Sequence, residues 1–365
     1  MQSASWLVAF LIKAMTNQSD ATVRLPRLTS NPYVRCDRDL RAHPASQMYW
    51  LNVFRDSLRT HFECGGLTDP DRMGAGVAAM ESVLEAILDG EGRFDTIDLD
   101  LARQAGLQAA GLPDAYADLK STANDAAFDA LPEVLHRLDA APADQRWALV
   151  FREMLAGNWF DMGTVELVEA WRAAGGNVLQ GHERVPERPW RWDDVEAFVE
   201  AMVLDDSPVV MLLDNAGPDT IFGAFSFARE LLRLGREVRL AANDGPALND
   251  VQVHDLRELI ARAAQVDVIF GELEQGIVNT GSSMPLLDLS NISVALANVT
   301  QDAGLLVFCG MGRGLESNWT ASFDLPVLRV ASVKNPDVAD LIGANLGDGV
   351  VRFEMPAPST IDHHD

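Results

Sequence analysis

Polar side chains recur in this sequence at the points where short hydrophobic runs end. Asp214 and Asn215 follow the run at 208–213, and Asn243 follows the run at 237–242. Carboxylate and amide oxygens are ligands for hard divalent cations, and arginine and lysine bind phosphate. Further polar residues after such runs are Asn249, Asp250, Arg313, Asn318 and Lys334. The residue types therefore suit a divalent metal together with a phosphate group.

The hydrophobic runs themselves predict the sheet that positions these residues. Short apolar runs followed by helical patterns are typical of buried parallel strands with crossover helices. In such a sheet the carboxyl ends of the strands share one edge, where ligands bind. The polar residues are thus expected in one crevice. The predicted strands occupy residues 208–213, 237–242, 266–270, 305–309 and 327–333.

Amphipathic spacing before this sheet predicts helices. The periodic apolar residues between about 46 and 150 have helical spacing. We therefore predict an α/β protein in which an α-helical N-terminal region, residues 1–150, precedes an α/β domain, residues 151–365. That domain is predicted to be a Rossmann-like, doubly wound and mainly parallel sheet with helices on both faces.

Charge limits the partners of the chain. The formal net charge is −25, which disfavours nucleic acid and anionic membranes as partners. It also repels a phosphorylated small molecule at long range, so binding one requires local positive charge from a metal, Arg313 and Lys334. The expected partner is a small-molecule phosphate, and the sequence is compatible with a homo-oligomer.

The cysteines indicate a reducing compartment. Cys36, Cys64 and Cys309 are isolated and have no metal-ligand spacing, so we predict a cytoplasmic protein. The apolar stretch at 6–12 is too short to span a membrane.

Each of these polar residues also has a structural explanation. Asp214 and Asn215 suit a metal, but they equally suit an Asx turn or a helix cap. Asp250 is a candidate ligand or the N-cap of the helix that follows it. Arg313 belongs to a glycine-rich loop after a strand, which is either a phosphate-binding loop or a tight turn. Lys334 ends an apolar strand, where it binds an anion or forms a structural ion pair.

Several stretches, taken together, resemble one known family. Residues 158–354 are similar to the damage-control metal-dependent phosphatases, a family long described as a domain of unknown function. Within it, they resemble the plant stand-alone proteins and the phosphatase domain fused to pantothenate kinase-like proteins. The matching stretches are AGNWFD at 156–161, LDNAG at 213–217, FARELL at 227–232, AAN at 241–243, LND at 248–250, GSSMP at 281–285, GMGRG at 310–314, Asn318 and Lys334.

The resemblance implies an activity and a set of site residues. It implies divalent-metal-dependent hydrolysis of a small phosphomonoester, with 4′-phosphopantetheine or its oxidised, damaged forms as substrate and sugar phosphates as the next candidates. The implied metal is Mg²⁺ or Mn²⁺, with Co²⁺ and Ni²⁺ as alternatives, and its ligands are Asp214, Asn215 and Asp250. These three and Lys334 form the implied catalytic set. The implied substrate-binding residues are Asn158, Asp161, Asn243, Gly310, Gly312, Arg313 and Asn318.

Other functions and another mechanism are weighed against this one. A non-catalytic metabolite or nucleotide-binding protein would use the loop at Gly310, and a Rossmann-like methyltransferase would use the same fold. The combination of Asp214, Asn215 and Asp250 favours metal chemistry over both. Phosphatases that form an aspartyl-phosphate need Asp-x-Asp after such a strand, and Ala216 occupies the second position here. The sequence thus predicts direct attack by water.

Overall fold

The computed structural model describes residues 21–159, 181–202 and 206–356, with a seven-stranded sheet at its centre. Two further short strands, β1 and β6, form a separate antiparallel pair. The predicted site residue Asp161 and the apolar stretch at 6–12 lie outside the described residues. The strands are β1 (Thr22–Val23), β2 (Trp192–Asp193), β3 (Val209–Leu212), β4 (Val238–Ala242), β5 (Ile277–Asn279), β6 (Ile292–Ser293), β7 (Leu305–Cys309), β8 (Val327–Ser332) and β9 (Gly349–Glu354).

The order of the strands creates a crevice in the middle of the sheet. The order is β2-β9-β8-β7-β3-β4-β5, and every neighbouring pair is parallel except β8 with β9. The chain proceeds outward from β3 to β5 and then returns to place β7 on the other side of β3. Ligands bind in open α/β sheets where the strand order reverses in this way. The reversal lies between β3 and β7.

Both faces of the sheet are buried. Val209 and Met211 of β3 belong to one hydrophobic cluster, while Val210 and Leu212 belong to a second cluster on the opposite face. This alternation follows from the two-residue period of a strand, and burial on both sides explains why the strand reads as a continuous apolar run. The predicted α/β fold with a mainly parallel sheet is confirmed.

Helices surround the sheet and precede it. Asp69 caps α2, and Asp95 forms a capping box with Asp98 at the start of α3. No described helix combines the length and hydropathy that crossing a membrane requires. The α-helices are α1 (Pro44–Cys64), α2 (Pro70–Asp89), α3 (Thr96–Ala109), α4 (Ala117–Ala140), α5 (Ala143–Asn158), α6 (Gly181–Arg184), α7 (Val195–Met202), α8 (Phe225–Arg233), α9 (Val253–Val266), α10 (Val294–Thr300) and α11 (Pro336–Ile342).

The first four helices and the sheet contribute side chains to the same hydrophobic cluster. Phe54 of α1 and Leu131 of α4 belong to it together with Val307 of β7. Residue 150 lies inside α5. The division of the chain into a region 1–150 and a domain 151–365 stays a prediction.

The prediction of a strand at residues 266–270 is wrong. Residues Val268–Gly276 form a 3₁₀ helix, which begins where the carboxylate of Asp267 accepts a hydrogen bond from the amide of Ile269. Val268 is 85% exposed whereas Phe270 is fully buried, so the run lacks the continuous burial of a central strand. The strand that pairs with β4 on the side away from β3 is β5, which begins at Ile277.

We expect Arg329→Met to destabilise the fold. Arg329 is fully buried on β8 and donates to the carbonyl oxygens of Asn318 (2.9 Å) and Ala321 (2.7 Å). The variant leaves those carbonyls unpaired, which should lower the free energy of unfolding by about 3 kcal/mol. Urea denaturation measures the loss. Arg352→Met is the matched control, because Arg352 is partly exposed and should cost clearly less; equal losses would contradict the argument.

Candidate active site

Two loops at the carboxyl edge of the sheet pair with each other. The amide of Ala216 donates to the carbonyl of Asn249, and the amide of Val251 donates to the carbonyl of Asp214, both at 2.9 Å. Asn215 and Asp250 face each other in an isolated antiparallel bridge. This pairing brings residues that follow β3 and β4 together, as the sequence predicted for the ends of parallel strands.

The loop after β7 reaches the same place through a glycine. Gly310 has a φ of +86°, and a Cβ atom there would lie 1.8 Å from Oδ2 of Asp214. Only glycine accepts both this backbone conformation and this close approach. Asp214 and Gly310 therefore mark the site at the point where the strand order reverses.

Three buried carboxylates lie in this site. Asp214, Asp219 and Asp250 are 7%, 5% and 2% exposed. The side-chain amide of Asn215 donates to Oδ2 of Asp214 and Oδ2 of Asp219, both at 2.9 Å. The side-chain amide of Asn158 donates to the same two oxygens, at 3.2 and 2.9 Å.

Asp219 was not predicted as a site residue. It begins the π-helical turn Asp219–Ala224, five positions after Asp214. An acidic residue in the first turn of a helix usually complements the helix dipole, so nothing in the sequence distinguishes it from an ordinary capping residue.

Two cations accompany the carboxylates. Arg313 is fully buried; its Nη2 donates to Oδ2 of Asp250 (2.8 Å) and to Oδ1 of Asn243 (3.0 Å). Its Nε lies 3.7 Å from Oδ1 of Asp214. Lys334 is partly buried, and its Nζ donates to the backbone carbonyl of Asn158 at 2.7 Å. Arg313 is enclosed by the protein behind the surface of the site, whereas Lys334 lines the cleft.

The charges of the site suit an additional cation. Burial raises the pKa of Asp214 well above its usual range, Asp250 and Asp219 raise it further, and Arg313 and Lys334 oppose the rise. Three carboxylates and two cationic side chains leave one excess negative charge. A divalent cation would make the site net positive and would stabilise the ionised carboxylates. The oxygen-rich donor set is the one that Mg²⁺ and Mn²⁺ prefer.

Buried donors at the site also lack partners. Nε and Nη1 of Arg313 and Nδ2 of Asn249 make no hydrogen bond to any residue that the structure describes. Unsatisfied buried donors call for a bound acceptor such as water or an anion. Arg313 is fully buried, so a buried water is the acceptor that suits it. Asn249 lines the cleft into which the site opens, where a phosphate oxygen is a suitable acceptor. The carboxylates and the amide of Asn249 thus suit a metal and a phosphate group side by side.

The site opens into a cleft of about 140 Å³, called here the primary cleft. Asp214, Asn215, Asp250 and Lys334 line one side of it. The opposite side comes from the N-terminal helices, chiefly from Trp50, Val53 and Phe54 of α1 and Asp100 and Arg103 of α3. The sequence did not predict these residues, because which face of a helix covers a distant sheet edge depends on tertiary packing.

Another carboxylate at the cleft has an unusual pKa. Glu316 follows the loop after β7, and burial raises its pKa to about 8, with nearby Asp100 and Asp337 adding to the rise. Burial likewise raises the pKa of Asp100 to about 6. Glu316 therefore adds little negative charge to the cleft at neutral pH, whereas Asp100 remains mainly ionised.

The predicted site residues fall into two groups. Asp214, Asn215, Asp250, Gly312 and Lys334 line the primary cleft. The remaining described residues do not line it and are buried: Asn158, Asn243, Gly310, Arg313 and Asn318.

The buried group holds the site in place. The side-chain amide of Asn243 donates to Asp250 (2.9 Å), and that of Asn318 donates to the carbonyls of Leu287 (2.9 Å) and Arg313 (3.0 Å). The N-cap of α9 is Gln252, so the side chain of Asp250 is directed to the site and does not cap the helix.

Comparisons with known proteins agree with this geometry. A family model described as the damage-control phosphatase ARMT1-like domain matches residues 80–350. A damage-control phosphatase of Arabidopsis thaliana is 33% identical over 353 residues, which cover 90% of this chain and 96% of that protein. A DUF89 family protein from Pyrococcus horikoshii has the same fold, with a TM-score of 0.64 and 17% identity over 83% of this chain and 97% of that one. The chain belongs to the damage-control phosphatase family.

Other relatives are longer proteins. Pantothenate kinase 2 of Arabidopsis thaliana is 32% identical over 85% of this chain and 39% of its own length. The 4′-phosphopantetheine phosphatase of Mus musculus is 27% identical over 92% of this chain and 49% of its own length. This chain therefore corresponds to less than half of each of these two proteins.

Proposed function

We propose that this member of the damage-control phosphatase family hydrolyses 4′-phosphopantetheine or its oxidised, damaged forms, using a divalent cation held by Asp214, Asn215 and Asp250. The observation that carries the proposal is the cluster of buried carboxylates at the strand-order reversal, with Lys334 at the cleft and Arg313 behind it. The similarity to the mouse 4′-phosphopantetheine phosphatase supports the choice of substrate.

Different residues of the site would bind the metal and the phosphate. Asp214, Asn215 and Asp250 would hold Mg²⁺ or Mn²⁺, with Co²⁺ and Ni²⁺ as alternatives, and Asp219 would keep Asn215 in place through its hydrogen bond. When bound, a divalent cation neutralises phosphoryl charge and lowers the pKa of water. Lys334 would bind a phosphoryl oxygen. Arg313 would offset the charge of Asp250 from behind, which leaves the front of that carboxylate for the metal.

Phosphate release tests the proposal. The panel is 4′-phosphopantetheine, an uncharged-arm oxidised form of it, a hexose phosphate and p-nitrophenyl phosphate, each assayed without metal and with Mg²⁺, Mn²⁺, Co²⁺ or Ni²⁺. We expect metal-dependent release with the highest kcat/KM for a phosphopantetheine compound. A higher value for the hexose phosphate would favour a sugar-phosphate phosphatase. Tight binding without release from any ester would favour a non-catalytic binding protein.

Asn158→Ala is expected to weaken metal binding without abolishing it. Asn158 contacts Asp214 and Asp219 through its amide and accepts a hydrogen bond from the backbone amide of Ser332. Removing such a support typically costs about 10- to 100-fold in metal affinity or activity. A Mn²⁺ titration followed by calorimetry measures the affinity, and saturating Mn²⁺ should restore part of the activity. Unchanged affinity would show that Asn158 has only a packing role.

The mechanism is expected to be a single displacement by water. Ala216 stands where a second aspartate would act as general acid, and Oδ2 of Asp214 already accepts hydrogen bonds from Asn158 and Asn215. Hydrolysis of a chiral phosphate ester should therefore proceed with inversion at phosphorus. Rapid quenching with labelled substrate should trap no phosphoprotein. Retention, or an aspartyl-phosphate at Asp214, would mean that this residue is a nucleophile.

A further inference from the structure

A second cavity adjoins the primary cleft, and we propose that it binds the uncharged amide-containing arm of the substrate. This adjoining cavity has a volume of about 130 Å³. It shares three lining residues, Arg103, Leu248 and Pro285, with the primary cleft. The inference rests on the proposed phosphatase function and assigns a subsite for the part of the substrate that carries no phosphate.

The shared residues place the two spaces end to end. Asp214 and Lys334 line only the primary cleft, whereas Gln104, Gln108 and Ser283 line only the adjoining cavity. Leu248, at the junction, has a φ of +52°, which is uncommon for a residue with a side chain and is found preferentially at functional sites. A phosphate held near Lys334 would therefore leave its organic group directed past Leu248 into the adjoining cavity.

The walls of the adjoining cavity suit a neutral chain. Arg103 forms an ion pair with Asp100, and Asp114 pairs with Lys120 at 3.0 Å. Because these charges are mutually compensated, the cavity attracts neither a second phosphate nor a cation. Pantetheine beyond its phosphate is such a neutral chain: it carries a dimethyl group, two amides and a thiol.

The uncharged residues of the cavity wall suit both the apolar groups and the amides of that chain. Leu107, Ala115 and Ala247 are buried and supply apolar contacts. Gln104, Gln108 and Ser283 supply donors and acceptors of the kind that amides need. The side chain of Gln104 also donates to the backbone carbonyl of Ser283, which joins α3 to the loop 281–285 at the cavity wall. A hexose phosphate has no arm to place there.

Bulky side chains that fill the adjoining cavity should lower kcat/KM for long substrates more than for short ones. Gln108 is exposed on α3, so Gln108→Trp adds bulk at the wall with little risk to folding. Ser283→Tyr is a second variant, on the loop 281–285. Each should lower the ratio of kcat/KM for 4′-phosphopantetheine to that for p-nitrophenyl phosphate by about tenfold or more. Ala109→Trp is the matched control, because Ala109 is the exposed neighbour that lines neither space.

A binding measurement is independent of turnover. Pantetheine without its phosphate should inhibit p-nitrophenyl phosphate hydrolysis competitively, and both filling variants should weaken this inhibition while the control does not. If the wild-type protein hydrolyses both esters but neither filling variant changes the ratio or the inhibition, the arm-binding subsite is wrong and the phosphatase proposal stands. If the wild-type protein hydrolyses no ester under any metal condition, both proposals fall.

Discussion

Asp214→Asn should reduce kcat/KM by at least about a thousandfold. The substitution keeps the shape of the side chain but removes its charge, so the proposed metal site loses one of its two anionic ligands. Stability should change little, because Asp214 is one of three mutually repelling buried carboxylates. Phosphate release at fixed Mn²⁺ measures the activity, and a calorimetric titration with Mn²⁺ measures the affinity.

Asp244→Ala is the matched control. Asp244 also follows a strand at the carboxyl edge of the sheet, after β4, but it is exposed and does not line the primary cleft. This variant should retain wild-type kinetics. Wild-type turnover of Asp214→Asn in metal-limited buffer would contradict the metal assignment, whereas loss of activity in both variants would point to a general effect of charge at this edge.

The sequence predicted several strands of the sheet correctly, because a strand that is buried on both faces consists of a continuous apolar run. The run at 305–309 became β7 with the same limits, and the run at 208–213 contains β3. The error at 266–270 has a different cause: Val266 and Val268 are exposed, only Phe270 of the run is fully buried, and a local hydrogen bond to the carboxylate of Asp267 stabilises a 3₁₀ helix. Apolar content predicts strands only where the residues are buried.

The site was predictable where local sequence determines position, and less so elsewhere. Residues directly after β3 and β7 meet because neighbouring parallel strands end together, which explains the proximity of Asp214 and Gly310. Whether a side chain is buried depends on tertiary packing and cannot be read from the neighbouring sequence alone. Arg313 was implied as a substrate contact, but it lies fully buried behind Asp250, and the cleft wall from Trp50 and Phe54 depends on how α1 packs. We therefore propose a positioning role for Arg313.

Lys334→Met is expected to lower kcat/KM by about 30- to 1000-fold, because it removes a charge-assisted contact worth about 2–4 kcal/mol in the transition state. Lys334 lines the primary cleft, and its Nζ donates to the carbonyl of Asn158, the residue that also supports Asp214 and Asp219. Its ammonium group thus lies beside the proposed metal ligands and within the space open to substrate. Methionine retains the apolar stem, so packing is largely preserved.

Lys120→Met distinguishes a phosphate-binding lysine from a structural one. Lys120 is buried and pairs with Asp114, so its loss should lower the unfolding midpoint and leave the kcat/KM for p-nitrophenyl phosphate near the wild-type value. Lys334→Met should show the reverse pattern, with a large kinetic loss and a small change in stability. If Lys334→Met instead loses stability and retains kcat/KM, its bond to Asn158 is its main role, and the phosphoryl charge must be offset by the metal alone.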